Sequence, residues 1–140
     1  MGIITSMLAA CAGERPQNLG SHNGQLSACP GSPNCVSSQA SDERHRIAPL
    51  TSPGDPQQLW TNLKAVLRQR DDTTMVQEEA DYLRVEFHTT FFIDDGEFLL
   101  DAAHRQIHLR SASRLGYSDL GKNRRRLEQI RQSLAAATAD

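Results

Sequence analysis

The 140-residue chain contains no run approaching the roughly 20 apolar residues that a membrane-spanning helix needs, so no segment reads as a transmembrane helix. It has no excess of positive charge either. A formal net charge of -2 gives no general reason to expect nucleic acid or acidic membranes as partners. The Walker loop, GxSxG, HExxH, the paired CxxC and the dinucleotide fingerprint are all missing, which lowers the standing of the common enzyme classes and implies no cofactor. Cysteine is scarce, with three in the chain. Any function must come from local sites.

What is present is the composition of a soluble globular protein, 38% hydrophobic and 23% charged. A chain of this length suits one domain, burying about two-thirds of its unfolded surface. The first eleven residues, "MGIITSMLAAC", end in Leu8-Ala9-Ala10-Cys11, which looks like a bacterial lipobox with Cys11 as the lipidated residue. A complete signal would place a basic region and about 7–15 apolar residues before it. Here ten residues precede Cys11, none of them Lys or Arg. Either translation starts upstream, or this is a cytoplasmic protein whose apolar N-terminus happens to end in "LAAC". On the first reading the anchor holds the protein to a membrane, and Ala12, in place of Asp, implies sorting to the outer membrane, facing the periplasm.

Residues 12–28, "AGERPQNLGSHNGQLSA", have little to bury and read as a flexible tether, leaving 29–140 as a single globular domain. In an oxidising periplasm Cys29 and Cys35 would sit around Pro30, Gly31, Pro33 and Asn34, whose turn chemistry brings the ends of a loop together. A short-loop disulfide is the leading reading. Unpaired structural thiols, a metal pair and a redox or nucleophilic cysteine remain open.

Asp55, Pro56 and Gln58 form a helix start, as N-cap, first helical residue and capping-box partner. Leu59, Leu63, Val66 and Leu67 then recur at helical spacing, with an end expected near Asp71-Asp72. Four strand-like segments follow: "TTMVQEE", "YLRVEFHTT", "FFIDDGEFLLD" and "QIHLRSAS". In the second, Leu83, Val85 and Phe87 alternate with Arg84, Glu86 and His88. The close of the chain, "SDLGKNRRRLEQIRQSL", reads as a helix capped by Ser118 or Asp119, with Leu120, Leu127, Ile130 and Leu134 as its apolar stripe and its arginines on a solvated face. The expected fold class is α+β: a two-layer domain with a four-stranded antiparallel meander, one helix before it and one after, one sheet face solvated, and the N-terminal arm lying across the domain.

Three blocks, "CPGSPNCVSSQA", "FFIDDGEFLLD" and "RSASRLGYSDLGKNRRRLEQIR", resemble the signature blocks of the bacterial and plastid family called domain of unknown function 1499, over about residues 29 to 131. The family's name records no activity. The resemblance implies an exported or membrane-associated protein, and a larger apolar residue where Gly96 stands.

The last block also has a physical reading. Arg110, Ser111, Ser113 and Arg114 leave a strand, and Ser118, Asp119, Asn123 and Arg124 surround a helix start, which together offer hydroxyls, guanidinium forks and helix amides to a small anion. Against this, Asp119 would satisfy those amides itself, and the arginines would pair with Asp94, Asp95 and Glu97. Those acids with Asp101 could instead supply a general base or a hard-metal site on a turn, and Glu86, His88, Asp101, His104 and His108 could meet as metal ligands. The expected function is a non-catalytic envelope lipoprotein domain that binds an envelope protein or a small anionic ligand. The alternative is a small hydrolase or isomerase-like enzyme using Asp, Glu or His of the sheet.

Overall fold

Asp55 starts the first helix as its position predicts: its carboxylate accepts the Gln57 amide at 2.9 Å, and Pro56 takes the first helical place. Helix α1 runs Pro56–Arg68. Gln58 does not close a capping box; its side chain bonds Asn62 one turn on. The structure, a computed structural model, describes residues 13–138. The lipobox and Cys11 lie outside the described residues. The strands are β1 (Ser21–His22), β2 (Gln25–Leu26), β3 (Cys35–Ser37), β4 (Leu50–Thr51), β5 (Thr73–Glu78), β6 (Tyr82–His88), β7 (Ile93–Asp101) and β8 (Gln106–Ser113), and helix α2 spans Lys122–Thr138.

The chain is α+β, and β5 to β8 form the expected antiparallel meander. The count of four strands is corrected to six. Both β3 and β4 pair antiparallel with β8, extending the sheet beyond the meander. With three and two residues, these strands are too short for alternation to declare them. β1 and β2 make a separate hairpin.

The alternation of β6 to β8 sorts the sheet into two faces. Leu83, Val85, Phe87, Phe98, Leu100, Ile107 and Leu109 pack against Leu59, Trp60, Leu63 and Leu67 of α1 and Leu127, Ile130 and Leu134 of α2 in one core. Leu120, expected on the α2 stripe, precedes the helix and is exposed, because Leu120 and Gly121 turn through positive φ before α2 begins. β7 passes through Gly96 without interruption, and Phe87 occupies the room a larger residue would need.

The opposite face is not solvated. Residues expected to form a flexible tether lie against it: Arg15 Nε donates to Glu86 Oε2 at 2.7 Å, Arg84 Nη2 donates to the Pro16 carbonyl at 2.8 Å, and the Gly20 amide donates to Glu97 Oε2 at 2.9 Å. Leu26 packs with Tyr82 and Leu99 in a small second cluster. The arm docks through charge and backbone, which its low apolar content did not disclose. An irregular third layer thus covers the two-layer core.

Candidate functional site

The strand register determines which charges meet on the covered face. Arg84 lies opposite Glu97 and Glu97 opposite Arg110, so base, acid and base alternate along this row of β6, β7 and β8, while in the next row two acids, Glu86 and Asp95, lie side by side. Arg114, just beyond β8, grips Asp95 with two bonds, Nε to Oδ2 at 2.8 Å and Nη2 to Oδ1 at 2.9 Å, and also donates to Glu86. The bonds to Asp95, working against burial, raise the Arg114 guanidinium pKa. Burial pushes the Glu86 carboxyl up, but the bonds and charges of Arg15 and Arg114 outweigh it and hold the group below its ordinary value. The Tyr82 hydroxyl donates to Glu97 Oε2 at 2.5 Å, and burial, reinforced by that bond, raises the phenol.

Arg110 differs from Arg114. It is buried, and burial pulls its pKa down. It makes one 3.3 Å bond, from Nη2 to the Ala28 carbonyl, and its Nη1 stands 3.5 Å from Glu97 Oε1 without a hydrogen bond. Its Nε and Glu97 Oε1 have no hydrogen-bond partner. Arg110 lines a cavity of about 330 Å³ bounded by the arm at Pro16, Asn18 and Leu19, by the loop at Ala28, Cys29 and Pro30, and by Ser113 and Arg114. Glu14 stands at its rim and is exposed. Cys29 and Cys35 are joined in a disulfide, so one wall of this cavity is covalently tied to β3.

A second polar network occupies the helix side. Arg126 Nη1 donates to Asp94 Oδ2 at 2.8 Å while its guanidinium lies 4.7 Å from the centre of the Phe87 ring, and Lys122 Nζ is 3.1 Å from the same carboxylate oxygen. Arg126 therefore does not belong to a solvated helix face. Asn123 accepts from Ser111 Oγ at 2.6 Å and donates to Ser113 Oγ and to Asp119 Oδ2. Asn34 joins the disulfide loop to this network, giving its side-chain amide to the Gly116 carbonyl at 2.6 Å and accepting the Ser113 amide.

Of the anion-binding residues expected from sequence, Arg110, Ser113 and Arg114 share the cavity. The others are elsewhere. Ser111 and Asn123 bond each other, Asp119 accepts the amides of Gly121 and Asn123, and Ser118 accepts the Leu120 amide. Arg124 donates to the carbonyls of Arg46 and Arg44. The helix amides are thus taken by Asp119, as its placement suggested.

The family model described as "Protein of unknown function (DUF1499)" matches residues 25–134. The chain belongs to this family. No curated protein and no solved structure matches it. The DUF1499 match takes in the six-stranded sheet, α1, α2 as far as Leu134 and the disulfide, while Arg15, Pro16 and Gly20, which cover the charged face, precede it. The three sequence blocks that carried the DUF1499 resemblance meet at Asn34, Asp94 and Asn123.

The acids are in the interior of β7, not on a turn, and each has a basic or hydroxyl partner: Asp94 has Arg126, Asp95 has Arg114, Glu97 has Tyr82. The histidines fall into two places. His88 pairs with Ile93 at one end of β7, near Glu86. His108 lies opposite Leu99 towards the other end, where Asp101 bonds His104. Among the described residues no group of three or more His, Cys, Asp or Glu is placed to hold a metal ion. The expected pairing of the last block's arginines with the β7 acids is found at Arg126 on Asp94 and Arg114 on Asp95, whereas sequence reading missed Asn34, Tyr82 and Arg84 as members of the networks. The alternation of β6 was the available signal for Tyr82 and Arg84; for Asn34 there was none, since it acts across a long sequence separation.

Proposed function

We propose that the protein is a lipid-anchored envelope domain that binds a small anion, a carboxylate or phosphate with a short apolar body, without turning it over. The observation that carries this reading is Arg110: a buried guanidinium with five donors, one of them bonded, on the wall of a cavity of suitable size. An incoming anion gives Nε the acceptor it lacks, and Pro16, Leu19 and Pro30 supply apolar contact. Binding without turnover is favoured because Asp95, the buried acid at the cavity, is already held by Arg114 at both oxygens and is poorly suited to serve as a base. Arg114 organises this site, and Arg110 makes the contact.

The test measures the unfolding midpoint and calorimetric heat of the full chain with inorganic phosphate and with acetate as probes, beside Arg110→Met. Saturable binding and a raised midpoint that Arg110→Met abolishes, with its circular dichroism unchanged, support the reading. Binding that survives in Arg110→Met, or no binding of either anion, overturns the cavity as an anion site. Intact mass from a bacterial envelope fraction addresses the anchor separately: an acylated Cys11 supports it, and an unmodified full-length chain overturns it.

A further inference from the structure

We infer that the end of the domain carrying the β6–β7 turn and the segment between β8 and α2 rests on a phospholipid surface, its exposed apolar side chains entering the interfacial region. This deepens the lipid-anchored reading by giving the folded domain its own contact with the bilayer. Phe91 and Tyr117 are 75% and 68% exposed, Leu120 is 84% exposed, and Phe92 and Leu115 are each more than 40% exposed. They are the large exposed hydrophobics of the described residues, and they come from two neighbouring stretches: the Arg114 amide bonds the Ile93 carbonyl, joining the base of one to the base of the other. Apolar exposure gathered at one end of a domain marks an interaction surface.

Three observations select a bilayer as the occupant. The patch is aromatic and aliphatic and carries basic groups. Lys122 Nζ sits 5.3 Å from the Phe92 ring centre, and Arg125 Nη1 bonds the Leu120 carbonyl, so cations lie beside the apolar side chains, the combination that binds the headgroup boundary of anionic bilayers. Of the carboxylates close by, Asp94 is engaged by Lys122 and Arg126 and Asp119 by the amides of Gly121 and Asn123, while Glu14, next to Gly13, is exposed. Finally, the described chain begins at this same end. A Cβ on Gly13 would lie 3.2 Å from Leu115 Cδ2 and from Arg114 Cβ. Cys11 is two residues upstream of Gly13, so an acyl group on it would reach the bilayer from beside the patch and present this end first. The segment between β8 and α2 is tied to the disulfide loop, where Asn34 donates to the Gly116 carbonyl.

The test uses the full chain with Cys11→Ser, which cannot be acylated, so the patch and the anchor fail or succeed separately. It is sedimented with vesicles of phosphatidylcholine alone and of phosphatidylcholine mixed with phosphatidylglycerol. The expected result is measurable binding, stronger on the phosphatidylglycerol vesicles, reduced roughly tenfold or more by Phe91→Ser with Leu120→Ser. Both positions are exposed, and an unchanged unfolding midpoint shows that the variant is folded. In a parallel Phe91→Trp chain, emission shifts to the blue when vesicles are added; native Trp60 is buried and adds a constant background. Failure to bind either vesicle overturns the proposal and leaves the patch to a protein partner. Equal binding by the Phe91→Ser, Leu120→Ser variant also overturns it, because the two most exposed apolar side chains of the patch then contribute nothing. An acylated Cys11 in cells with no vesicle binding here would keep the anchor and remove the patch.

Discussion

The ring of Phe87 fills the space above Gly96 on the neighbouring strand: a Cβ at Gly96 would stand 2.4 Å from Phe87 Cε2 and 2.8 Å from Val85 Cγ2. Val85 and Gly96 are opposite each other in the register, so the aromatic reaches diagonally across the vacant position. The same ring carries Arg126, which holds Asp94 on the strand that contains Gly96. The missing side chain therefore positions a cation as well as a core residue.

Gly96→Ala should cost about 2 kcal/mol in urea unfolding, and Gly96→Val more, because the added atoms meet packed side chains. Adding Phe87→Leu to Gly96→Ala should recover part of the loss, a non-additivity that reports the contact directly. Full additivity would mean that the strand relaxes around the new methyl group and that Phe87 does not define this site.

The disulfide closes a loop with a sequence separation of 6 and places Cys29 and Pro30 on the cavity wall. Replacing both cysteines by serine should lower stability by about 2 kcal/mol through loop entropy alone, and by more because Cys35 is fully buried. Phosphate or acetate affinity should fall with it, since the wall facing Arg110 is no longer tied to β3. Stability lost with affinity kept would show that the bridge serves the fold and not the cavity.

The parts of this fold that were legible in sequence are those declared by local pattern. Asp55-Pro56 announced α1, and the alternation of Leu83, Val85 and Phe87 announced the meander. β3 and β4 were invisible because two or three residues carry no period, and their pairing with β8 is a long-range event. The arm was read as loose from its shortage of apolar residues; what fastens it is Arg15 on Glu86 and the Gly20 amide on Glu97, contacts that span more than seventy residues. The last block looked like one site because Arg110 to Arg124 are close in sequence. A strand sends neighbours to opposite faces, so Arg110 and Ser111 belong to different networks. Only the period-two rule applied to the whole sheet, with the register known, separates them.

Glu86 makes the charged layer testable by pH. Arg15 and Arg114 hold its carboxyl below the ordinary value of 4.5, so the folded chain binds that proton more weakly than the unfolded chain does. A depressed carboxyl stabilises the fold in full above the unfolded value, and the contribution is lost as pH falls through the folded one. Glu86→Gln should therefore be less stable than the native chain by about 2–3 kcal/mol at neutral pH, since two guanidinium groups lose their charged partner. Below pH 4.5 the difference should shrink steadily as native Glu86 takes up its proton. Urea unfolding of both chains across this range measures it. A gap that stays constant into acid would mean the glutamate acts through shape and hydrogen bonding, not charge. Arg15 lies on the arm, so Arg15→Met should reproduce a smaller form of the same pH dependence if the arm is fastened by this carboxylate.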